Sequence, residues 1–120
     1  MKVLRVVANL LAPDPAGLAA FYREALGLTL RADMGWIQFL ETGAEGAQQL
    51  QIASGGGSGT DLPAISVEVD DLDAALDAVR AAGGEVVYGP VSEPWGVRRF
   101  HLRDPAGNLV NVVTHEAADG

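Results

Sequence analysis

The sequence predicts an α+β fold: two βαβββ modules forming a curved mixed sheet with helices on its outer face. Three observations predict it. The order strand, helix, strands is run through twice within 120 residues. Each helical stretch carries a single apolar stripe. The strand stretches alternate apolar and polar side chains. One helix over each half covers one face of a sheet, so the other face must line a cavity or meet a partner. The expected modules are residues 1–53 and 64–120, separated by a flexible linker over 54–63. The length fits one compact unit made from both.

Lys2–Leu11 reads as the first strand. Pro13-Asp14-Pro15 breaks it and starts a helix from Ala16 to Leu26, with Leu18, Phe21, Tyr22, Ala25 and Leu26 as its stripe. Gly27 is the candidate C-cap. Thr29–Ala32 is a short strand, and Trp36–Glu41 with Ala47–Ala53 form a hairpin. The Ser54–Gly59 run is too glycine-rich for regular structure. In the second half Ala64–Val69 is a strand and Asp70 or Asp71 caps a helix. Leu72, Ala75, Leu76 and Val79 form that helix's stripe, and Gly83-Gly84 ends it. Glu85–Tyr88, Val97–Arg103 and Asn108–Thr114 are the remaining strands, the last two joined by a tight turn at Asp104–Gly107.

Composition excludes several classes of function. Cysteine is absent, which removes disulfides, thiolate nucleophiles and Cys-ligated zinc. The net charge of -8 repels phosphate backbones, so no nucleic-acid partner is expected. That charge either favours a cationic ligand or serves solubility alone. No run of apolar residues is long enough to span a membrane. The first residues lack a small-residue cleavage site and read as a strand, so a cytoplasmic protein with no membrane association is expected.

Alternation assigns the faces. Ile37, Phe39, Leu50, Ile52, Ile65, Val67, Val69, Phe100, Leu102, Val110 and Val112 fall on an aliphatic face, under the helices. Asn9, Trp36, Gln38, Gln49, Gln51, Ser66, Glu68, Arg99, His101 and Asn111 fall on the other, together with Val7, Ala64 and Leu109. This second face is either the wet side of a sheet or the lining of a mixed polar and aromatic pocket. Glu68 and His101 share it, and either has the chemistry of a general base. Flanked by Arg99 and Arg103, His101 also fits a purely structural role. The glycine run lacks the Lys-Ser or Lys-Thr of a phosphate loop.

Three segments carry a resemblance: DPAGLAAFYREALGL at Asp14–Leu28, ISVEVDDLDAALDAVRAAGGE at Ile65–Glu85, and PWGVRRFHLRDPAGNLVNV at Pro94–Val112. In this order and spacing the chain resembles the vicinal oxygen chelate superfamily, also called the glyoxalase/bleomycin resistance protein/dioxygenase superfamily. The resemblance implies that fold over essentially the whole chain. In metal-dependent members it would place ligands at Val7, Gln51 (Gln49 if the register slips by two), Ala64 and Asn111. These side chains offer two neutral amides and two hydrocarbons, not the imidazole and carboxylate a divalent ion wants.

The expected function is therefore metal-independent binding of a small molecule, without cofactor, metal or catalytic residue. Metal-free members resemble bleomycin-resistance-type proteins, which implies sequestration of an antibiotic or related natural product in a crevice, by a homodimer. Trp36 and Trp95 are the candidate stacking residues, and each equally fits ordinary packing. Asn9, Gln38, Gln49, Gln51, Ser66 and Asn111 offer polar contacts, and Val7 and Ala64 complete the lining. Glu68 suits a cationic ligand and Arg99 the opposite. The alternative is a superfamily enzyme, a lyase, isomerase or dioxygenase acting without the usual ligands.

Overall fold

A computed structural model describes residues 1–43 and 48–116. In chain order these form β1 (Val3–Leu11), α1 (Pro15–Leu26), β2 (Thr29–Asp33), β3 (Ile37–Glu41), β4 (Gln49–Ala53), β5 (Ile65–Val69), α2 (Leu72–Ala81), β6 (Glu85–Glu93), β7 (Val97–Arg103) and β8 (Leu109–His115). The strands make a mixed sheet of order β2-β3-β4-β1-β5-β8-β7-β6, so the α+β class and the doubled plan hold. The expected strand start at Ala47 and the last four residues of the second module lie outside the described residues. The chain divides into two compact units, Val7–Leu62 and Met1–Val6 with Pro63–Gly120. The first residues of β1 group with the unit that contains Pro63–Gly120, where Lys2 and Asp70 exchange hydrogen bonds.

In the Val7–Leu62 unit, β1 runs parallel to β4, with Ala8 opposite Leu50 and Leu11 opposite Ala53. β3 lies antiparallel to both β2 and β4. The Asp14 carboxylate accepts from the Gly17 N–H and starts α1, with Pro15 at the first helical position. Gly27, at φ 73°, closes the helix in the left-handed region that favours glycine. Ala12, Ala19, Leu40 and Ile52 form the core, with Leu10, Leu18, Tyr22 and Leu50 packed on it.

This core corrects one face assignment. Gln38 stands opposite Ile52, and Phe39 opposite Gln51. Directly opposed residues share a face, so Gln38 lies on the α1 side and Phe39 on the polar side. Gln38 is buried, and its Nε2 donates to Asp33 Oδ1. The segment Ile37-Gln38-Phe39-Leu40 offers a large apolar side chain in either phase, and Leu40 wins the core while Asp33 satisfies the glutamine. The Ser54–Gly59 run folds back on itself. The Gly56 N–H donates to the Thr60 carbonyl at 2.9 Å, and Thr60 Oγ1 to the Gly57 carbonyl at 2.7 Å. Gly56 is buried against Thr60 and Asp61 with no room for a Cβ.

In the other unit β5 runs parallel to β8, and β7 lies antiparallel between β8 and β6. Asp71 is the cap of α2, accepting from the Ala74 N–H at 3.0 Å. Phe100, Leu102, Val110, Val112 and Val69 pack beneath Leu72 and Ala75 of that helix. Each such side chain contributes about 1.5–3 kcal/mol of burial. β6 runs five residues past the expected end at Tyr88, through Gly89 and Pro90. It tolerates them because it pairs on one side only and shifts register twice along β7. At the β7–β8 turn the Asn108 side chain, then backbone N–H groups, bond Asp104 and hold its carboxyl below its usual range.

Candidate functional site

Register places four side chains in a row across the unit containing α2. Ser66 stands opposite Asn111, Asn111 opposite His101, and His101 opposite Tyr88. Phe100, Leu102, Val110 and Val112 take the α2 side, so alternation turns this row to the opposite face. The row is sheltered: His101 is 2 % exposed, and Ser66 and Asn111 are 8 % each. Asn111 Nδ2 donates to Ser66 Oγ at 3.1 Å. The Tyr88 ring lies 5.0 Å from the imidazole, centroid to centroid. Asn111 Oδ1 and His101 Nε2 are buried without a hydrogen-bond partner. Burial first, and the Arg99 charge second, push the imidazole down to about 4, against an opposing pull from Glu93. His101 is therefore neutral near pH 7.

The next group on this face is a buried ion pair. Arg99 Nε donates to Glu93 Oε2 at 2.7 Å, and its Nη2 lies 2.5 Å from the same oxygen. The Tyr88 hydroxyl donates to that oxygen too, at 3.1 Å. The guanidinium sits 5.0 Å from the Trp95 ring centroid and 5.4 Å from that of Tyr88. Trp95 is thus held on the Arg99 cation at the tip of the β6–β7 hairpin. Glu68 is held by Arg5, whose Nε donates to its Oε2 at 2.6 Å. The exposed His115 brings Nδ1 to 3.5 Å from the same oxygen.

The remaining expected residues separate as follows. In the Val7–Leu62 unit Asn9 stands opposite Gln51, and Gln51 opposite Phe39, on the face away from α1. Gln49 stands opposite Glu41, and Val7 is buried. Trp36 precedes β3, half-buried, its carbonyl accepting from the Ser54 N–H. Gln38 leaves this group for the α1 side. In the other unit Ala64 is exposed just before β5. Sequence reasoning missed Tyr88, Glu93 and Arg5. A signal for Glu93 was present: a hairpin centred on Pro94-Trp95-Gly96 puts Glu93 and Arg99 on one face as diagonal neighbours.

The donor set does not fit a metal centre. Val7 and Ala64 carry no donor, and Gln51 and Asn111 carry only neutral amides. Among the described residues no three of His, Cys, Asp and Glu gather around a common point.

A family model described as the glyoxalase/bleomycin resistance protein/dioxygenase superfamily matches residues 3–112. The chain belongs to this superfamily. A search of curated proteins finds no significant match. Solved structures share the superfamily fold. A chain named NAD-dependent benzaldehyde dehydrogenase from Legionella pneumophila is 12% identical, with 93% of this chain and 100% of that one covered and a TM-score of 0.78. A glyoxalase/bleomycin resistance protein/dioxygenase superfamily member from Vibrio splendidus 12B01 is 14% identical, with 95% and 99% covered and a TM-score of 0.64. Methylmalonyl-CoA epimerase from Mycobacterium tuberculosis is 18% identical, with 96% and 88% covered and a TM-score of 0.59. At these identities the likeness is one of fold, and the superfamily fold hosts more than one activity. Among the described residues no helix is long and apolar enough to cross a membrane.

Proposed function

We propose that this protein binds a small organic molecule without a metal, in the manner of a resistance protein that sequesters an antibiotic or related natural product. The carrying observation is the sheltered row Ser66–Asn111–His101–Tyr88, polar, uncharged near pH 7 and incompletely hydrogen-bonded. An unmet buried polar atom is costly unless a guest or water completes it. The Trp95 ring beside Arg99 adds an aromatic surface for a flat ligand. The protein acts as a homodimer in this reading, supported by the exposed apolar side chains of Val3, Leu4 and Val6 on β1.

The test is native mass spectrometry against divalent metals and flat, cationic or peptidic natural products. A ligand retained at one per chain, recovered unchanged and quenching tryptophan fluorescence, is the expected result. Tight retention of a divalent metal, or turnover of the ligand, sinks the proposal.

One observation favours a second reading, an enzyme. Glu68 lies beside the Nδ1 of the exposed His115, an arrangement that suits a general base. Conversion of a bound ligand, lost in His115→Gln, would select this reading.

A further inference from the structure

Two charged groups on the polar face of the α2-containing unit, Arg99 and Glu68, are already matched. Arg99 is neutralised by Glu93, which takes three donors on one oxygen. Glu68 is neutralised by Arg5. An ionic group arriving beside these pairs would lose its hydration and meet counter-charges already engaged. The buried polar atoms of this face without a partner are neutral: Asn111 Oδ1 and His101 Nε2, on directly opposed residues of β7 and β8. Both side chains are more than nine-tenths buried. Ser66 fixes the Asn111 amide from its Nδ2 end, leaving the oxygen as a pure acceptor. Tyr88 bounds His101 on the other side, and Trp95 supplies a ring nearby on Arg99.

From this arrangement we infer that the His101–Asn111 step recognises an uncharged hydrogen-bonding group, a carboxamide or hydroxyl carried on an aromatic ligand. Its N–H or O–H donates to Asn111 Oδ1, and a second polar atom pairs with His101 Nε2. The neutral imidazole suits either tautomer to that role, as a donor or as an acceptor. The inference rests on the proposed binding function and narrows its ligand class. Recognition by buried neutral groups discriminates strongly, because a ligand that lacks the matching atom leaves them unpaired.

The experiment uses three ring compounds of one shape and three charges: benzamide, benzoate and benzamidinium. Each is titrated into the full-length ¹⁵N-labelled protein at pH 7. The chain has only two histidines, so the imidazole of His101 is resolved from that of His115. Benzamide is expected to shift the His101 Nε2 and Asn111 side-chain resonances saturably, and to bind at least tenfold tighter than either ion. Asn111→Ser and His101→Gln are each expected to weaken benzamide at least tenfold, and two variants are used because either buried change can unfold the protein. Equal or tighter binding of benzoate or benzamidinium overturns this inference and leaves the binding function standing. So does benzamide binding that leaves His101 and Asn111 unmoved. Silence from all three probes overturns the inference alone if the natural-product panel yields a ligand, and overturns both if that panel is silent too.

Discussion

His101 carries the clearest consequence at the scale of single residues. Its folded pKa of about 4 lies below the ordinary 6.5. Below the ordinary value the unfolded chain takes up a proton that the folded chain refuses. Stability therefore falls as the pH drops from the ordinary value to the folded one, by about 3 kcal/mol in total. Above that window both states are neutral, and this residue adds no pH dependence. Urea unfolding at pH 7 and pH 4.5 should show the loss, and His101→Gln should remove most of it. An equal slope in the variant contradicts the assignment. The Glu93–Arg99 pair gives the second consequence. Both side chains are 4 % exposed, so Glu93→Gln strands a buried cation and should cost about 3–5 kcal/mol. Adding Arg99→Met to that variant should restore much of the loss, which the unfolding midpoints of the single and double variants would read. Ser66, His101 and Asn111 were legible in the sequence as members of one face because alternation is a local property. Glu93, the partner of Arg99, was within reach of the same local logic through the Pro94-Trp95-Gly96 hairpin, whereas the pairing of Arg5 with Glu68 was not, because which distant segments meet is a long-range matter that periodicity does not encode.

Most elements were written in local chemistry. Asp14, Gly27 and Asp71 each mark a helix end by a mechanism visible in the sequence, and each acts there in the structure. Asp71→Ala should cost about 1 kcal/mol, measured by thermal unfolding, because the Ala74 N–H loses its acceptor. Two elements resisted reading. β3 carries large apolar side chains in both phases, so its pairing with β4, Leu40 opposite Leu50, decides its face and sends Gln38 toward α1. β6 contains Gly89-Pro90, a pair that ordinarily ends a strand, and its one-sided pairing lets it continue. Gly89 is required there on two counts. Its φ is +76°, and an added Cβ would lie 2.6 Å from the Arg99 carbonyl oxygen. Gly107 shares a positive φ, +86°, with nothing within 4 Å of the added atom. Gly107→Ala should cost about 1 kcal/mol from the backbone alone. Gly89→Ala should exceed it by about 1–3 kcal/mol, because backbone rather than a movable side chain obstructs the methyl. Equal costs for the two variants would show that the clash relaxes away.

At the scale of the whole molecule, the chain has the superfamily fold, and Val7, Gln51 (or Gln49), Ala64 and Asn111, where the resemblance would place metal ligands, carry hydrocarbons and neutral amides. Fold and activity are thus separable: the strand–helix–strands plan depends on apolar periodicity and caps, whereas metal chemistry depends on donor atoms at a few strand positions. Both cores are built from apolar side chains, which supply no metal donors. A ligand that binds only the folded state stabilises it by about 2.7 kcal/mol at a hundredfold excess over Kd. For a chain of this length that is on the order of 10 °C in Tm. Thermal unfolding of the purified protein should then be indifferent to a chelator and to zinc, manganese or nickel. It should rise with concentration for the organic ligand that the natural-product panel yields. The two arms read opposite chemistry from one observable. A metal that raises the Tm in a saturable way would show that amide oxygens, or side chains outside the described residues, form a centre the donor set argues against. A Tm raised by the organic ligand alone shows that the folded chain holds an organic guest, because mass action rewards only what the folded state binds.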